Sequence, residues 1–245
     1  MDEAKKIEDV WALISSCDEK TRGFLEQYLK EAPDWILTSF RMIEMDKNAV
    51  IVRENSHFDT VYILIEGLAR AVEYCNGDSN FDYSWFGPTK VIGALETLLG
   101  NENYATTIET LVPCRMMALS RVLFERWVMT DIHLLHFESR EVGNELLGQA
   151  RQARAFLFMD GRERVMSFMA FTYREICNGG KEQLNLTRQQ MADSTGLSIK
   201  TVNRVIQELL RDGYIGRKGN RITISDIQHK KMEEEITPRF GNYLL

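Results

Sequence analysis

Residues 184–213 constrain the fold of this chain more than any other segment, because they encode two helices and the turn between them. Thr187, followed three residues later by Gln190, forms the pattern of a capping box at the start of the first helix. Gly196 allows a tight turn, and Ser198 is typical of a residue that caps the next helix. The pattern predicts a helix-turn-helix.

The second helix of this motif is amphipathic. Its apolar stripe is predicted to be buried and consists of Val202, Val205, Ile206, Leu209 and Leu210. The opposite face carries Lys200, Asn203, Arg204 and Gln207. Polar and basic side chains at the start of such a helix suit the base edges in a major groove of DNA.

A wing is predicted directly after this helix. Two short strands in residues 214–224 are joined by the basic turn Arg217-Lys218-Gly219, which suits contact with phosphates. The alternative is a helical hairpin that does not bind DNA. Because the cap, the turn, the basic face and the wing all agree, we favour a winged helix-turn-helix that binds double-stranded DNA.

A long helix is predicted from Asp131 to about Phe158. Steps of three and four residues define a heptad seam along it: Ile132, Leu135, Ser139, Val142, Leu146, Gln149, Ala153 and Phe156. A narrow seam on a long helix favours pairing with a second copy of the chain. The alternative is that the helix packs on its own domain.

Short β-rich runs separated by turn residues occupy residues 48–120. They are Ala49–Val52, Val61–Ile65, Leu68–Val72, Tyr83–Phe86 and Arg115–Leu119. This spacing predicts a β-sandwich or β-roll, with Gly67 as a hairpin corner. Residues 1–40 have helical spacing and are expected to form short helices that pack on the strands.

The charge is distributed unevenly along the chain. The net charge is −6, but residues 160–229 contain 11 Lys and Arg against 8 Asp and Glu, which leaves −9 on the remainder. A basic segment attached to an acidic body suits DNA binding. The chain shows neither a signal peptide nor a run of 18 apolar residues, so we expect a cytoplasmic protein that does not enter a membrane.

Metal and enzyme sites are not predicted. Cys17, Cys75, Cys114 and Cys177 are far apart and are expected to be buried free thiols. A metal-binding β-roll enzyme needs several converging His and carboxylates, but the β-rich region contains only His57. We find no catalytic triad or nucleotide-binding loop, so the chain is not expected to be an enzyme. A module that binds a ligand without DNA remains the rival interpretation.

These features predict an α+β fold in four parts. A β-roll with N-terminal helices spans residues 1–130, and a dimerisation helix spans 131–159. A winged helix-turn-helix spans 160–229, starting at a capping box of Asp160 and Glu163, and a C-terminal tail spans 230–245.

This order of a cyclic-nucleotide-binding-like jelly roll, a long helix and a winged helix-turn-helix resembles the Crp/Fnr regulators over residues 45–226. The matching motifs are Tyr62–Gly67, Val91–Gly93 and, most specifically, Leu186–Arg204. The resemblance implies a dimeric transcription regulator in which an effector in the β-roll repositions the DNA-binding domains through the long helix. It also implies RNA polymerase as a candidate partner.

The effector pocket departs from the family pattern. Members that bind cyclic nucleotides have a Glu after the glycine equivalent to Gly93, and an Arg-Ser pair that holds the phosphate. Ala94, Tyr104 and Ala105 occupy those places here, so a cyclic phosphate has no evident partner. We therefore predict an unidentified small-molecule effector other than cyclic AMP, aromatic or weakly polar.

The resemblance places this effector between the β-roll and the long helix. The predicted effector residues are Gly93, Ala94, Leu95, Tyr104, Ala105 and Gln149. For Gln149, the alternative is a buried amide that sets the register of the dimer. Oxygen-sensing members hold an iron–sulfur cluster on N-terminal cysteines, and here only Cys17 lies there, so no cluster is predicted. His57, His133 and His136 leave a haem ligand open.

The predicted DNA-binding residues are Thr187, Arg188, Gln189, Ser198, Ile199, Lys200, Thr201, Asn203, Arg204, Arg217 and Lys218. Family members commonly show a Glu and then, four positions later, an Arg that takes guanine. Arg204 keeps this Arg, whereas Lys200 replaces the Glu and cannot accept a hydrogen bond from a base. A dimer implies a near-palindromic operator.

Overall fold

A computed structural model describes residues 3–74, 80–176, 183–184, 186–219 and 221–240. The helices are α1 (Glu3–Ser16), α2 (Glu19–Tyr28), α3 (Asp34–Leu37), α4 (Ala94–Leu99), α5 (Arg121–Thr130), α6 (Ile132–Phe158), α7 (Gly161–Ile176), α8 (Arg188–Thr195), α9 (Ile199–Arg211) and α10 (Asp226–Phe240). The strands are β1 (Arg41–Met45), β2 (Val50–Val52), β3 (Thr60–Glu66), β4 (Ala69–Tyr74), β5 (Asn80–Phe86), β6 (Val91–Ile92), β7 (Thr107–Thr110), β8 (Cys114–Ser120), β9 (Gln183–Leu184), β10 (Gly216–Lys218) and β11 (Arg221–Thr223).

The chain divides into two compact units. The first contains residues 1–69 and 86–144, and the second contains residues 70–85 and 145–245. This division cuts the long helix α6, which was predicted to form a separate part. It also places residues 70–85 with the C-terminal unit, where the Trp85 ring lies 4.9 Å from that of Phe168.

The strands of the β-roll form two sheets within the described residues, in the orders β1-β8-β3-β6 and β2-β7-β4-β5. In the first sheet, β3 and β8 run antiparallel, with Val61 opposite Leu119 and Ile63 opposite Met117. All four of these side chains are buried. Leu64 points to the opposite face of β3 and is fully buried as well, so both faces of this strand are covered near its end.

Each predicted β-rich run contains a strand, but β1, β6 and β7 were missed. Strand β7 is buried along its whole length. Its sequence, Thr-Ile-Glu-Thr, contains one apolar residue and so lacks the alternation used to recognise strands. The prediction of a hairpin at Gly67 was wrong, because β3 and β4 belong to different sheets. Gly67 has a φ of 106°, and this left-handed backbone turns the chain from one sheet into the other.

An aromatic cluster joins α2 to the start of α6 in the first unit. Rings of Phe24, Tyr28 and Phe137 lie 5.3–5.6 Å apart. The Tyr28 hydroxyl donates a hydrogen bond to Glu138, and both side chains are buried. Burial, together with the Glu138 carboxylate, raises the pKa of Tyr28, so it remains a donor. The N-terminal helices thus pack on the unit as expected.

The second unit has its own core around α7. Val165, Met166, Phe168 and Met169 are fully buried there among residues of α8, α9 and the wing. At its start, the Asp160 amide donates to Glu163 and the Glu163 amide donates to Asp160, so the predicted capping box is present.

Residues 230–240 differ from the expected C-terminal tail, because they continue helix α10. Met232 and Ile236 are buried in the second core, and the His229 ring stacks on Tyr173 at 4.7 Å. The apolar positions 232 and 236 are one turn apart, which explains why this highly charged segment folds as a helix.

The two described cysteines are free thiols in different surroundings. Cys114 is buried as predicted, and burial raises its pKa to about 11. Cys17 is only half-buried, which corrects the expectation for it. Cys75, Cys177 and the predicted helix end at Asn178–Gly180 lie outside the described residues. Among the described helices, none combines the length and apolar character needed to cross a lipid bilayer.

Candidate nucleic-acid interface and effector pocket

The helix-turn-helix is formed by α8 and α9. The Thr187 hydroxyl accepts from the Gln190 amide, and the Gln190 side chain accepts from the Thr187 amide, so the predicted capping box starts α8. The helix ends at Gly196, and the Ser198 hydroxyl then accepts from the Thr201 amide at 3.1 Å to start α9. These local hydrogen bonds fix where both helices begin.

Helix α9 has one buried and one exposed face. Val202, Val205, Ile206 and Leu209 are fully buried and Leu210 is partly buried, as the stripe predicted. On the other face Ile199, Lys200, Asn203, Arg204 and Gln207 are exposed. Ile199 keeps 43% of its surface in solvent, so its side chain is accessible for an apolar contact with a partner.

The Arg204 side chain forms an ion pair within its own helix, α9. Its Nη1 lies 2.7 Å from Oε1 of Glu208, one turn further along, and the Arg side chain is 64% exposed. An exposed pair of this kind contributes only about 0.3–0.5 kcal/mol. The guanidinium is therefore oriented by Glu208 but is available to a stronger acceptor.

The wing is a small antiparallel sheet in the order β10-β11-β9. Lys218 pairs with Arg221 at its tip, and both residues are exposed. The Arg217 Nε donates to the Gly219 carbonyl at 2.7 Å. Burial and the nearby charge of Arg217 lower the pKa of Arg188, so two guanidinium groups from α8 and the wing come close enough to repel each other. An anion would relieve this repulsion.

The remaining predicted phosphate contacts lie around the starts of α8 and α9. Thr187 and Ser198 act as helix caps, and Gln189 donates to Asp193 at 2.7 Å. The Thr201 hydroxyl lies 2.9 Å from that of Ser198. The structure thus brings the predicted DNA-binding residues onto one small unit. Arg221 is also exposed at the tip of the wing but was not among the predicted residues.

The predicted effector residues of the first unit lie where β6 leads into α4. Gly93 has a φ of 102°, and a Cβ there would lie 2.9 Å from the Phe58 ring, so any other residue would strain this turn. Ala94 is buried and Leu95 is partly buried. The Ala94 methyl group offers a ligand no hydrogen bond.

Tyr104 and Ala105 are already engaged by the chain itself. The Tyr104 hydroxyl donates to the Thr60 carbonyl at 2.6 Å, and the Tyr104 ring lies 5.2 Å from that of Phe58. The Ala105 amide donates to Oε1 of Glu96 at 2.9 Å, and Glu96 is only 5% exposed. Sequence reasoning missed Glu96, a buried carboxylate that accepts from the amide of Ala105, one of the positions where the family resemblance places the phosphate-binding pair.

Gln149 belongs to the second unit and not to the unit that holds the other effector residues. Its amide lies 3.5 Å from the Glu145 carboxylate, one turn earlier on α6. The described residues contain no group of three or more His, Cys, Asp and Glu that would hold a metal ion. His57 forms a β-bridge with Asn103, whereas His133 and His136 lie on the exposed surface of α6.

Two family models match this chain. Residues 42–131 match the cyclic nucleotide-binding domain, and residues 150–229 match the Crp-like helix-turn-helix domain. Together with the geometry of α8, α9 and the wing, these matches define a DNA-binding transcription regulator that carries a cyclic-nucleotide-binding-type domain. The chain belongs to the Crp/Fnr family.

Known relatives are distant but extend over most of the chain. The cAMP-activated global transcriptional regulator CRP of Haemophilus influenzae is 18% identical over 216 residues, which cover 86% of this chain and 96% of the relative. A CRP-family transcriptional regulator from Thermus thermophilus has a similar structure, with a TM-score of 0.66 and 20% identity over 79% of this chain and 96% of that one.

The c-di-GMP-responsive regulator CLP of Xanthomonas campestris is also similar in structure. Its TM-score is 0.63 at 18% identity, and the match covers 82% of this chain and 98% of that one. At these identities the likeness shows the fold. It confirms the predicted α+β architecture of β-roll, helices and C-terminal helix-turn-helix.

Proposed function

We propose that this chain is an effector-responsive, sequence-specific regulator that acts in the cytoplasm as a homodimer on a near-palindromic operator. The exposed polar face of α9, flanked by the basic wing, is the observation that carries the proposal. The effector occupies the β-roll near Gly93, Ala94, Leu95, Tyr104 and Ala105, and its binding changes the affinity for DNA. RNA polymerase is the protein partner that such a regulator would meet at a promoter.

The homodimer is supported by the apolar seam of α6. Leu134 and Glu138 are buried within the first unit, so one face of the helix packs on its own unit. The predicted seam lies on other positions, where Ile132 is 70% exposed and Leu146 is 53% exposed. Large apolar side chains that recur at heptad spacing and remain in solvent are stabilised by pairing with a second copy.

The reading of bases is assigned to the start of α9. Arg204 presents a forked donor that matches O6 and N7 of guanine, and Ile199 offers an apolar contact for a thymine methyl group. Lys200 contacts a guanine or a phosphate because its ammonium group cannot accept a hydrogen bond. Asn203 contacts an adenine or the DNA backbone. The half-sites are then expected about 10 bp apart from centre to centre.

The contacts with the backbone are assigned to the residues around these two helices and the wing. They are Thr187, Arg188, Gln189, Ser198, Thr201, Arg217 and Lys218. Such contacts position the protein on the duplex but carry no sequence information. The like charge of Arg217 acts on Arg188, and both cations are assigned to phosphates.

The effector is not cyclic AMP. Its phosphate would meet the buried Glu96 carboxylate, which already occupies the Ala105 amide, and it would find neither the Glu nor the Arg-Ser pair of the cyclic-nucleotide members. A like charge in a buried site is costly for both groups. A neutral, aromatic or weakly polar molecule avoids this cost, and Gln149 stays a prediction for its polar contact.

DNA binding is tested by selection from a random duplex pool with the full chain. We expect a near-palindromic half-site pair. A protein that lacks residues 160–245 should recover no consensus, and this control separates a DNA-binding regulator from a module that binds only a ligand. Equal recovery with and without these residues would refute the proposed interface.

The effector proposal is tested by calorimetry with cyclic AMP, followed by a thermal-shift screen of neutral and cationic aromatics, with organic acids and haem as the anionic comparison. A ligand that binds the folded state raises the melting temperature. We expect no saturable heat with cyclic AMP. Saturable binding in the micromolar range or tighter would contradict the role given to Glu96.

A further inference from the structure

A cavity lies in the first unit, away from the predicted effector residues. Its volume is about 670 Å³, within the range of small-molecule pockets. It is bounded by α1, the segment from Leu37 to β1, the end of β8 and the start of α5. The apolar part of its wall includes Val10, Leu13, Leu37, Phe40, Met117 and Leu123.

The charged groups of this cavity do not balance. Lys6 on α1 and Arg41 at the start of β1 line it, with Asp9 as the one acidic residue among the lining side chains. In the part of the chain that the structure describes, neither Lys6 nor Arg41 forms an ion pair. The lining therefore carries an excess of one positive charge beside an apolar wall.

We infer that this cavity binds a monocarboxylate with an apolar body, with Lys6 and Arg41 holding the carboxylate. A single negative charge matches the excess of one positive charge. The body of the ligand lies against Val10, Leu13 and Phe40, which are partly exposed, and removal of their apolar surface from water stabilises the complex. The Ser120 hydroxyl, also in the lining, is a further donor. Lys6 and Arg41 reach solvent, so a neutral apolar molecule would leave them hydrated and would gain only the apolar contact.

The test uses 4-phenylbutyrate as the probe and the full chain with ¹³C-labelled methionine methyl groups. Met42 and Met117 line the cavity, whereas Met166 is buried in the other unit and serves as an internal control. We expect saturable shifts of the Met42 and Met117 signals and no shift of Met166. The neutral analogue 4-phenylbutan-1-ol should bind at least about tenfold more weakly, because it loses the charge-assisted hydrogen bonds.

Two charge-matched double variants distinguish binding in the cavity from non-specific electrostatic attraction of the anion. The double variant Lys6→Gln with Arg41→Gln should raise the Kd for 4-phenylbutyrate by more than about tenfold. Lys5→Gln with Arg53→Gln removes the same charge from exposed residues outside the lining and should bind as the parent does. Equal affinities for acid and alcohol, equal loss in both double variants, or unmoved Met42 and Met117 signals would each overturn the inference. A native position of the Met116 signal in the unliganded variants shows that the first unit remains folded, because Met116 is fully buried there and lies outside the lining.

Discussion

Replacing Arg204 with alanine gives the sharpest test of how α9 would meet DNA. In the free protein the side chain contributes little to the fold, because it is exposed and its one ion pair is with Glu208. Loss of that pair costs about 0.3–0.5 kcal/mol, and the higher helix propensity of alanine offsets part of it. We therefore expect Arg204→Ala to leave the free energy of unfolding within about 0.5 kcal/mol of the parent.

The effect on DNA binding is expected to be much larger. A bidentate contact between Arg and guanine is worth about 1–3 kcal/mol, and a dimer makes two of them. If the two half-sites act independently, the operator loses about 2–6 kcal/mol of binding free energy, which corresponds to about 30-fold or more in Kd. Release of Arg204 from Glu208 subtracts only a small part of this.

Fluorescence anisotropy at fixed salt measures this loss on the selected operator and on operators with single changes. Arg211→Ala is the matched control, since Arg211 is an exposed basic residue at the other end of α9. The control should bind nearly as the parent does. Lys218→Ala should lower the affinity for all duplexes alike and reduce the dependence of this affinity on salt concentration. If the Arg204→Ala protein keeps the full preference at every base pair, Arg204 does not read a base and the proposed docking of α9 is wrong.

Three further outcomes are expected. Replacing Val142 and Leu146 with glutamate should give monomers in sedimentation that lose specific DNA binding, and an unchanged dimer would refute the seam. Phe168→Ala should destabilise the second unit by about 3–5 kcal/mol in denaturant unfolding, since Phe168 is fully buried, and a loss below about 1 kcal/mol would contradict this packing. The hydrogen bond from Arg162 lowers the pKa of Asp212, so its stabilisation is present at neutral pH and fades as the pH falls below about 4. Asp212→Asn should therefore destabilise the protein at pH 7, with a difference from the parent that shrinks at pH 3, and a difference that does not depend on pH would refute the role of this carboxylate.

Local signals predicted the helix-turn-helix well. Each cap in this motif is set by residues within four positions of each other, as in Thr187 with Gln190 and Ser198 with Thr201. The stripe of α9 follows from spacing alone. The failures lie where distant residues decide the structure. Gly67 was assigned to a hairpin because a sequence does not show that β3 and β4 join different sheets.

The same distinction explains what the sequence revealed about the effector pocket. The sequence showed which partners a cyclic phosphate would lack, because Ala94, Tyr104 and Ala105 each replace one binding residue of the family pattern. It did not show Glu96, whose carboxylate reaches the Ala105 amide across nine residues only after α4 and the following loop have folded. A missing hydrogen-bond partner only lowers the affinity for a ligand, whereas a buried carboxylate repels any anion that approaches the Ala105 amide. If the effector binds in the β-roll as proposed, Glu96 therefore constrains its charge more firmly than the three substitutions do, and a screen should place neutral and cationic molecules first.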